Sequence, residues 1–335
     1  MAGRRRTPSR ASTSATRDAI ARSGGDRAVR ELGYERVAEI QRARLLAAMI
    51  DVCAERGVAE VTVAHVVERA GVSRRTFYEI YSDREECFLE ALDEGLARAS
   101  RCVLDGYDET ARWVDRMRGA LTALLAFMDA EHATGRLLVV ESLAAGDSAV
   151  SRRRAAVERM IAFVDEANVE LEPDKRTPSL TAEGVVGGVL SILHSRLLAE
   201  SPDPFLELTS PLASMIVLPY LGSAAARKEL SKPTPEVPVK ASRGERDPLS
   251  RLDMRLTYRT VRVLLAVAAE PGDSNRGVAA RAGIGDQGQI SKLLARLEKL
   301  GLVANESTVP GTGAPNAWVL TKQGEEVHVA LAAGP

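Results

Sequence analysis

Aromatic side chains are scarce, 4% of 335 residues, and Ala, Leu, Val, Arg and Glu fill the space they leave, a balance that favours helices. Cysteine is scarcer still. Cys53, Cys87 and Cys102 are far apart, odd in number and form no C-x-x-C pair. This argues against a disulfide framework and a structural zinc site, and it fits a reducing cytosol. The four histidines, His65, His132, His194 and His328, are scattered. No Gly-rich phosphate loop, no metal-ligand spacing and no G-x-S-x-G elbow occurs, so the expectation is a non-enzyme with no catalytic residue, no metal and no cofactor. No apolar run of about 18 residues stands out, so no membrane contact is expected. Arg4–Arg6 lacks a hydrophobic stretch behind it and is not read as a secretory signal.

Charge of one sign is also missing. The net value is −1, but it hides a segmental pattern: +6 over residues 1–30, −4 over 31–92, −6 over 93–230, +1 over 231–249 and +2 over 250–335. Any binding to an anionic partner must therefore come from placed residues and not from a bulk basic field. The length suits two or three domains, each large enough to bury a core.

The stretch Thr62–Phe88, TVAHVVERAGVSRRTFYEIYSDREECF, organises what is there. Two short helical patterns, Thr62–Ala70 and Ser73–Tyr81, are separated by only Gly71 and Val72. Glycine supplies the sharp turn of a helix-turn-helix. On a helical wheel Phe77, Ile80 and Tyr81 of the second pattern share an inward face, and Arg74, Arg75, Tyr78 and Glu79 point outward. Two arginines and a tyrosine on a short helix suit a DNA major groove, where Arg reads guanine edges and Tyr hydroxyls hold phosphate. Upstream, Glu35–Arg56 reads as a helix ended by Gly57, with Ala43, Leu46, Ile50 and Cys53 as its apolar stripe and Arg42 and Arg44 off it. Thr62 is an expected N-cap, and Ser82-Asp83 can cap the next helix.

The string T-V-x-x-V-V-x-x-A-G-V-S-R-R-T-F-Y-x-x-Y-x-x-R-E-x-x-F resembles the DNA-binding signature of the TetR family of bacterial transcriptional regulators. The resemblance covers about Glu35–Leu92 and runs on more weakly to about Leu230. Arg75 stands where a glycine is common, Ile80 where a histidine is common and Arg84 where a lysine is common. The resemblance implies a mainly α, TetR-like helical bundle and a DNA site formed by Arg44, Thr62, Ser73, Arg74, Arg75, Thr76, Tyr78 and Arg84. It also implies a homodimer through two late helices, here about Thr181–Glu200 and Pro211–Leu221. Gly184, Gly187, Gly188 and Ala182 give the first of these a small-residue face. A small-molecule effector would bind among the central helices. Trp113, Met117, Phe127, Met128, Met160 and Phe163, with Tyr107, are available to line a pocket; His132, Arg136, Glu141 and His194 could orient a ligand. Helical spacing alone does not separate such residues from ordinary core.

Ser231–Asp247 carries Pro233, Pro235 and Pro238 among polar residues and reads as an extended linker. Beyond it Tyr258–Glu270, a short helix ending at Ala282-Gly283, and a longer helix capped by Asp286 precede two strand-like runs, Leu302–Thr308 and Ala317–Thr321. In the longer helix Ile290, Leu293, Leu297 and Leu300 form an apolar stripe, with Gln289, Lys292, Arg296 and Lys299 opposite. Gln289 sits at a capping-box position relative to Asp286. The run I-S-K-L-L-A-R-L-E-K-L-G-L-V with the later W-V-L-T-K-Q-G-E-E-V resembles a MarR-type winged helix, a small α+β module. Its wing departs from that family in having no Lys or Arg between Lys299 and Lys322. Gln287, Gln289, Ser291, Lys292 and Arg296 are the candidate second DNA contacts, with protein interaction as the open alternative.

The expected organisation is a basic tail over 1–33, a helix-turn-helix domain over 34–92, a helical dimerisation and ligand domain over 93–230, a linker over 231–249 and a winged helix over 250–335. The expected function is a cytoplasmic, nucleoid-associated, dimeric regulator of transcription, a repressor released from double-stranded DNA by a small molecule. The alternative is a DNA-bridging, nucleoid-organising protein with two DNA-binding modules and no ligand.

Overall fold

A computed structural model describes residues 37–105, 110–199, 203–237, 258–307 and 316–333. The expected basic tail, Tyr107, the later part of the linker with Pro238, and the tip between the two C-terminal strands lie outside them. The chain divides into two compact units, residues 44–247 and residues 1–43 with 248–335.

In the first of these, α1 (residues 37–56, of which 44–56 belong to this unit) leads through a 3₁₀ turn, Val58–Glu60, into α2 (Val63–Ala70) and α3 (Arg74–Ile80). Gly57 ends α1 at φ +79° and Gly71 ends α2 at φ +65°, conformations that favour glycine because a Cβ would clash with the backbone. Thr62 caps α2, its hydroxyl accepting from the His65 N–H at 3.3 Å. The buried face of α1 is Leu45, Ala48, Met49, Val52 and Cys53, with Ile50 also buried and Ala43 and Leu46 only half-buried. The expected 3-4-3 stripe is thus shifted and widened, because α1 is covered on more than one side. Phe77 and Tyr81 are buried as expected, and Ile80 only half so.

α4 (Arg84–Asp105) begins at the expected cap: Asp83 accepts from the Glu86 N–H at 2.8 Å, and Glu86 accepts in return from the Ser82 N–H and hydroxyl, both at 2.7 Å. α5 (Trp113–Ala130), α6 (His132–Val139), the 3₁₀ turn Glu141–Leu143, α7 (Asp147–Asp165), α8 (Ala167–Glu170), α9 (Leu180–Leu197) and α10 (Thr209–Leu230) complete the unit. Their apolar faces join those of α1–α4 in one continuous core. The segment Phe205–Leu230 is, by length and composition, apolar enough to cross a membrane, contrary to the sequence reading. One face of it packs into the core, with Leu212, Ala213, Ile216, Val217 and Tyr220 buried, and α10 breaks at Gly222, φ +77°. The start of the linker is fastened down. Arg118 donates to Ser210 Oγ at 3.0 Å and to the Pro233 carbonyl at 3.2 Å, and pairs with the buried Glu229 at 3.3 Å.

The other unit contains α11 (Tyr258–Ala269), α12 (Asn275–Ala282), α13 (Gln287–Lys299), β1 (Val303–Asn305), β2 (Trp318–Leu320) and α14 (Lys322–Ala333). β1 and β2 pair antiparallel, with Ala304 opposite Val319. Asp273 adds a single bridge to Trp318. The α13 stripe is Ile290, Leu294 and Leu297; Leu293 and Leu300 are half-buried, a correction of one position that the i, i+4, i+7 geometry explains. α14 has no counterpart among the elements expected from sequence, the last of which is the second strand. Val37 and Ile40, at the start of α1, are buried in this unit's core, which was assigned from sequence to the C-terminal segment alone.

Candidate nucleic-acid interface

α3 is only seven residues long, so its placement depends on its ends and one anchor. Ser73 caps it, accepting from the Thr76 N–H at 3.0 Å, and the two hydroxyls are 2.8 Å apart. Phe77 is fully buried and packs near Tyr81, ring centroids 5.7 Å apart. With that face held, Arg74, Arg75, Tyr78 and Glu79 are exposed together. Tyr78 meets Phe77 edge-on at 5.4 Å, which steadies its ring while its hydroxyl end stays at the surface. Arg75 is 89% exposed and pairs with Glu79 at 2.8 Å, one helical turn on. The i, i+4 spacing was enough to anticipate that pair.

Four of the eight expected contact residues, Arg74, Arg75, Thr76 and Tyr78, lie on α3, and Ser73 caps it. Thr62 is exposed at the start of α2, and Arg44 is half-buried on α1. Arg84 is placed differently from a bare phosphate clamp. Its Nη1 donates to the Val61 carbonyl at 2.7 Å and the Val58 carbonyl at 3.1 Å, bracing the turn before α2. Arg69 pairs with Glu55 at 2.6 Å and holds α2 to α1. Beneath these helices Cys53 is buried, and burial, reinforced by the nearby Glu141 carboxylate, pushes its thiol up to about 12. Cys87 is pushed up by burial too. Both are neutral packing groups.

Of the expected ligand-pocket residues, Trp113, Met117, Phe127 and Met128 are buried in the continuous core. The Trp113 ring lies 5.3 Å from Tyr220, and its N–H donates to the Phe163 carbonyl at 3.4 Å. Met160, Phe163 and His194 are half-buried, and His132 is exposed beside Phe205 at 6.2 Å. Glu141 is buried and ion-paired to Arg136 at 3.1 Å. Among the described residues no cluster of three or more His, Cys, Asp or Glu could hold a metal.

In the C-terminal unit Asp286 caps α13, accepting from the Gly288 N–H at 2.8 Å and the Gln289 N–H at 3.2 Å. Gln289 makes no capping box; its side-chain oxygen accepts from Arg259 at 3.2 Å. Ser291 accepts from Asn275 at 3.1 Å. Gln287, Gln289, Ser291, Lys292 and Arg296 are all exposed.

Comparison with known proteins bears on the first unit. Residues 45–91 match the family described as bacterial regulatory proteins, tetR family. Among solved structures, the fatty acid degradation regulator FadR from Bacillus halodurans is 12% identical, with a TM-score of 0.48, over 52% of this chain and 94% of that one. A TetR-like transcriptional regulator from Rhodococcus sp. RHA1 is 19% identical, with a TM-score of 0.45, over 53% of this chain and 94% of that one. FadR from Bacillus subtilis, in complex with stearoyl-CoA, is 15% identical, with a TM-score of 0.46, over 54% of this chain and 98% of that one. Comparison with curated proteins finds no match. Over residues 45–91, then, the chain is similar to the DNA-binding part of tetR-family bacterial regulators.

Proposed function

We propose that this protein is a sequence-specific DNA-binding regulator of transcription, a repressor that works as a homodimer and leaves DNA when a small molecule binds its central helices. The observation that carries the reading is the outward face of α3. Arg74, Arg75 and Tyr78 are exposed together on a capped helix inside the segment that matches the tetR family. Bidentate Arg contacts to guanine are worth about 1–3 kcal/mol of discrimination each. Arg44, Thr62, Ser73, Thr76 and Arg84 supply or steady the surrounding contacts.

The dimer reading is supported by α9 and α10. Gly184 and Gly187 are exposed with open space where a Cβ would stand, and Leu218 and Leu221 of α10 are exposed apolar residues. A two-fold pairing would cover them and set two α3 helices on half-sites one or more DNA turns apart, about 34 Å per turn. The effector reading rests on the large side chains between α5 and α10, with Met160, Phe163 and His194 the half-buried ones. The strand pair after α13, with Lys292 and Arg296 exposed, supports a winged helix that adds weaker DNA contacts.

The test is enrichment of bound duplexes from a random pool, followed by footprinting of the winner. A palindromic site protected on both half-sites by wild type, and lost by the Arg74→Ala/Arg75→Ala double variant, is the expected result. Enrichment of no sequence, or unchanged binding by the double variant, would overturn it.

A further inference from the structure

Four groups from three distant stretches of sequence form an unbroken chain of polar contacts from the end of α9 to the turn before α2. The Leu197 carbonyl, in the last turn of α9, accepts from Arg136 Nη1 at 3.2 Å. Arg136 Nε donates to Glu141 Oε1 at 3.1 Å. The other oxygen, Oε2, accepts from the Val58 N–H at 2.8 Å. Val58 opens the 3₁₀ turn between α1 and α2, and its carbonyl is held from the other side by Arg84. We propose that Glu141 is a positioning residue that fastens the DNA-binding helices to the end of α9, so that a shift of α9 and the setting of α3 are coupled through Arg136 and Glu141. The proposal rests on the DNA-regulator reading for its purpose but not for its geometry.

Three observations make this more than incidental packing. Glu141 is 5% exposed, so its carboxylate has given up water and depends on these partners. Both of its oxygens are used, one by each side of the relay, so neither link can shift without disturbing the other. The acceptor also lies against the joint where α1 passes into that turn. Gly57, just before Val58, is in the left-handed region, and a Cβ built there would stand 3.8 Å from Oε2. A charge-assisted hydrogen bond to a backbone N–H is stronger than a neutral one and directional. It therefore sets the orientation of the turn as well as its stability. Coupling of this kind is reciprocal: whatever moves α9 moves the turn, and DNA that holds the turn must steady the end of α9. α9 is also the helix proposed for the dimer, so the relay gives the two DNA-reading helices a route by which their spacing is felt.

The experiment is amide hydrogen exchange on the full chain, first without DNA. Glu141→Ala should speed exchange at Val58 about tenfold or more, as expected for losing a charge-assisted bond, while exchange in α10 and α13 stays as in wild type. Glu141→Gln, which keeps one acceptor oxygen but puts an NH2 donor in place of the other, should restore part of that protection by offering its oxygen to the Val58 N–H; a merely volume-filling residue would show no such ordering. Unchanged Val58 exchange in Glu141→Ala would overturn the fastening. The second arm adds the duplex enriched by wild-type protein. DNA should slow exchange at residues 194–199 in wild type and leave them unchanged in Arg136→Gln, which cuts the link to Leu197. Persistence of the α9 response in Arg136→Gln, or its absence in wild type that binds the duplex, would overturn the coupling. If no duplex is enriched, the DNA reading itself fails and the coupling falls with it; the fastening is still judged by the DNA-free arm.

Discussion

α3 and α13 both present cations outward from behind a capped first turn, and they are built for different balances of work. α3 has seven residues, one deeply buried anchor, Phe77, and two adjacent arginines beside a tyrosine. α13 has thirteen residues and three buried anchors, Ile290, Leu294 and Leu297. Its polar face is partly spent on its own module: Gln289 is tied to Arg259 of α11 and Ser291 to Asn275 of α12. In α3 Arg75 pairs with Glu79 one turn on, an exposed ion pair that a competing phosphate or base can replace. The comparison teaches that a cationic stripe is not by itself a reading surface. What matters is whether its side chains are committed to neighbouring helices, as Gln289 and Ser291 of α13 are.

Breaking each helix at its anchor should give the largest effects. Phe77→Ala should cost about 3–5 kcal/mol and Leu294→Ala about 2–5 kcal/mol, each in its own unit. Cysteine labelling separates them, because Cys53 and Cys87 are buried in the same core as Phe77 and the residues after 247 contain no cysteine. At pH 8 only the exposed Cys102 should alkylate in wild type. Phe77→Ala should open Cys53 and Cys87, and Leu294→Ala should not. The Cys53 thiol is raised from 9.0 to about 12, so the folded state holds its proton more tightly than the unfolded chain. That contribution is present below about pH 9 and is lost as pH rises towards 12, where urea midpoints should fall.

Next comes the reading surface itself. Arg74→Ala or Arg75→Ala should each weaken binding to the enriched duplex by about 1–3 kcal/mol and relax preference at one position, measured by fluorescence anisotropy. Lys292→Ala with Arg296→Ala should leave sequence preference intact and lower the salt slope by about one for each phosphate no longer neutralised. Equal loss of specificity from both pairs would erase the distinction between α3 and α13.

The caps sharpen the comparison further down the scale. Ser73→Ala and Asp286→Ala should each cost about 1 kcal/mol in thermal unfolding of their unit. Only Ser73→Ala should also weaken DNA binding, since α3 has no second anchor to keep its N-terminus in place. Smallest of all, Glu79→Ala should change affinity by about threefold or less, because an exposed i, i+4 pair is weak.

Local chemistry was legible along the chain. The short break at Gly71-Val72, the caps at Thr62, Asp83 and Asp286, and the inward Phe77 and Tyr81 all follow from spacing and side-chain type within a few residues. The C-terminal strand pair was readable for the same reason, whereas α14 was missed: its apolar pattern is weak, and it takes its place by packing on α11 and β2. The stripe on α13 was off by one position, an error that alternative helical spacings of leucine permit until a partner surface selects between them.

Sequence by itself determined that there is a helix-turn-helix with Arg74, Arg75 and Tyr78 on one face, because helical periodicity, a left-handed glycine and an N-cap act over one or two turns. Tertiary structure alone decided which long-range partner each polar group takes. Glu141, available to a ligand by its sequence, is given to Arg136 and to Val58, 83 positions away. Arg84, a DNA contact by resemblance, braces the Val58 and Val61 carbonyls, and Val37 and Ile40 of α1 join the core of the C-terminal unit. The reason is physical. A helix's own hydrogen bonds are satisfied locally and leave a local signature, but a buried carboxylate or guanidinium accepts any correctly placed donor or carbonyl, and only the packed chain sets which one is within about 3 Å.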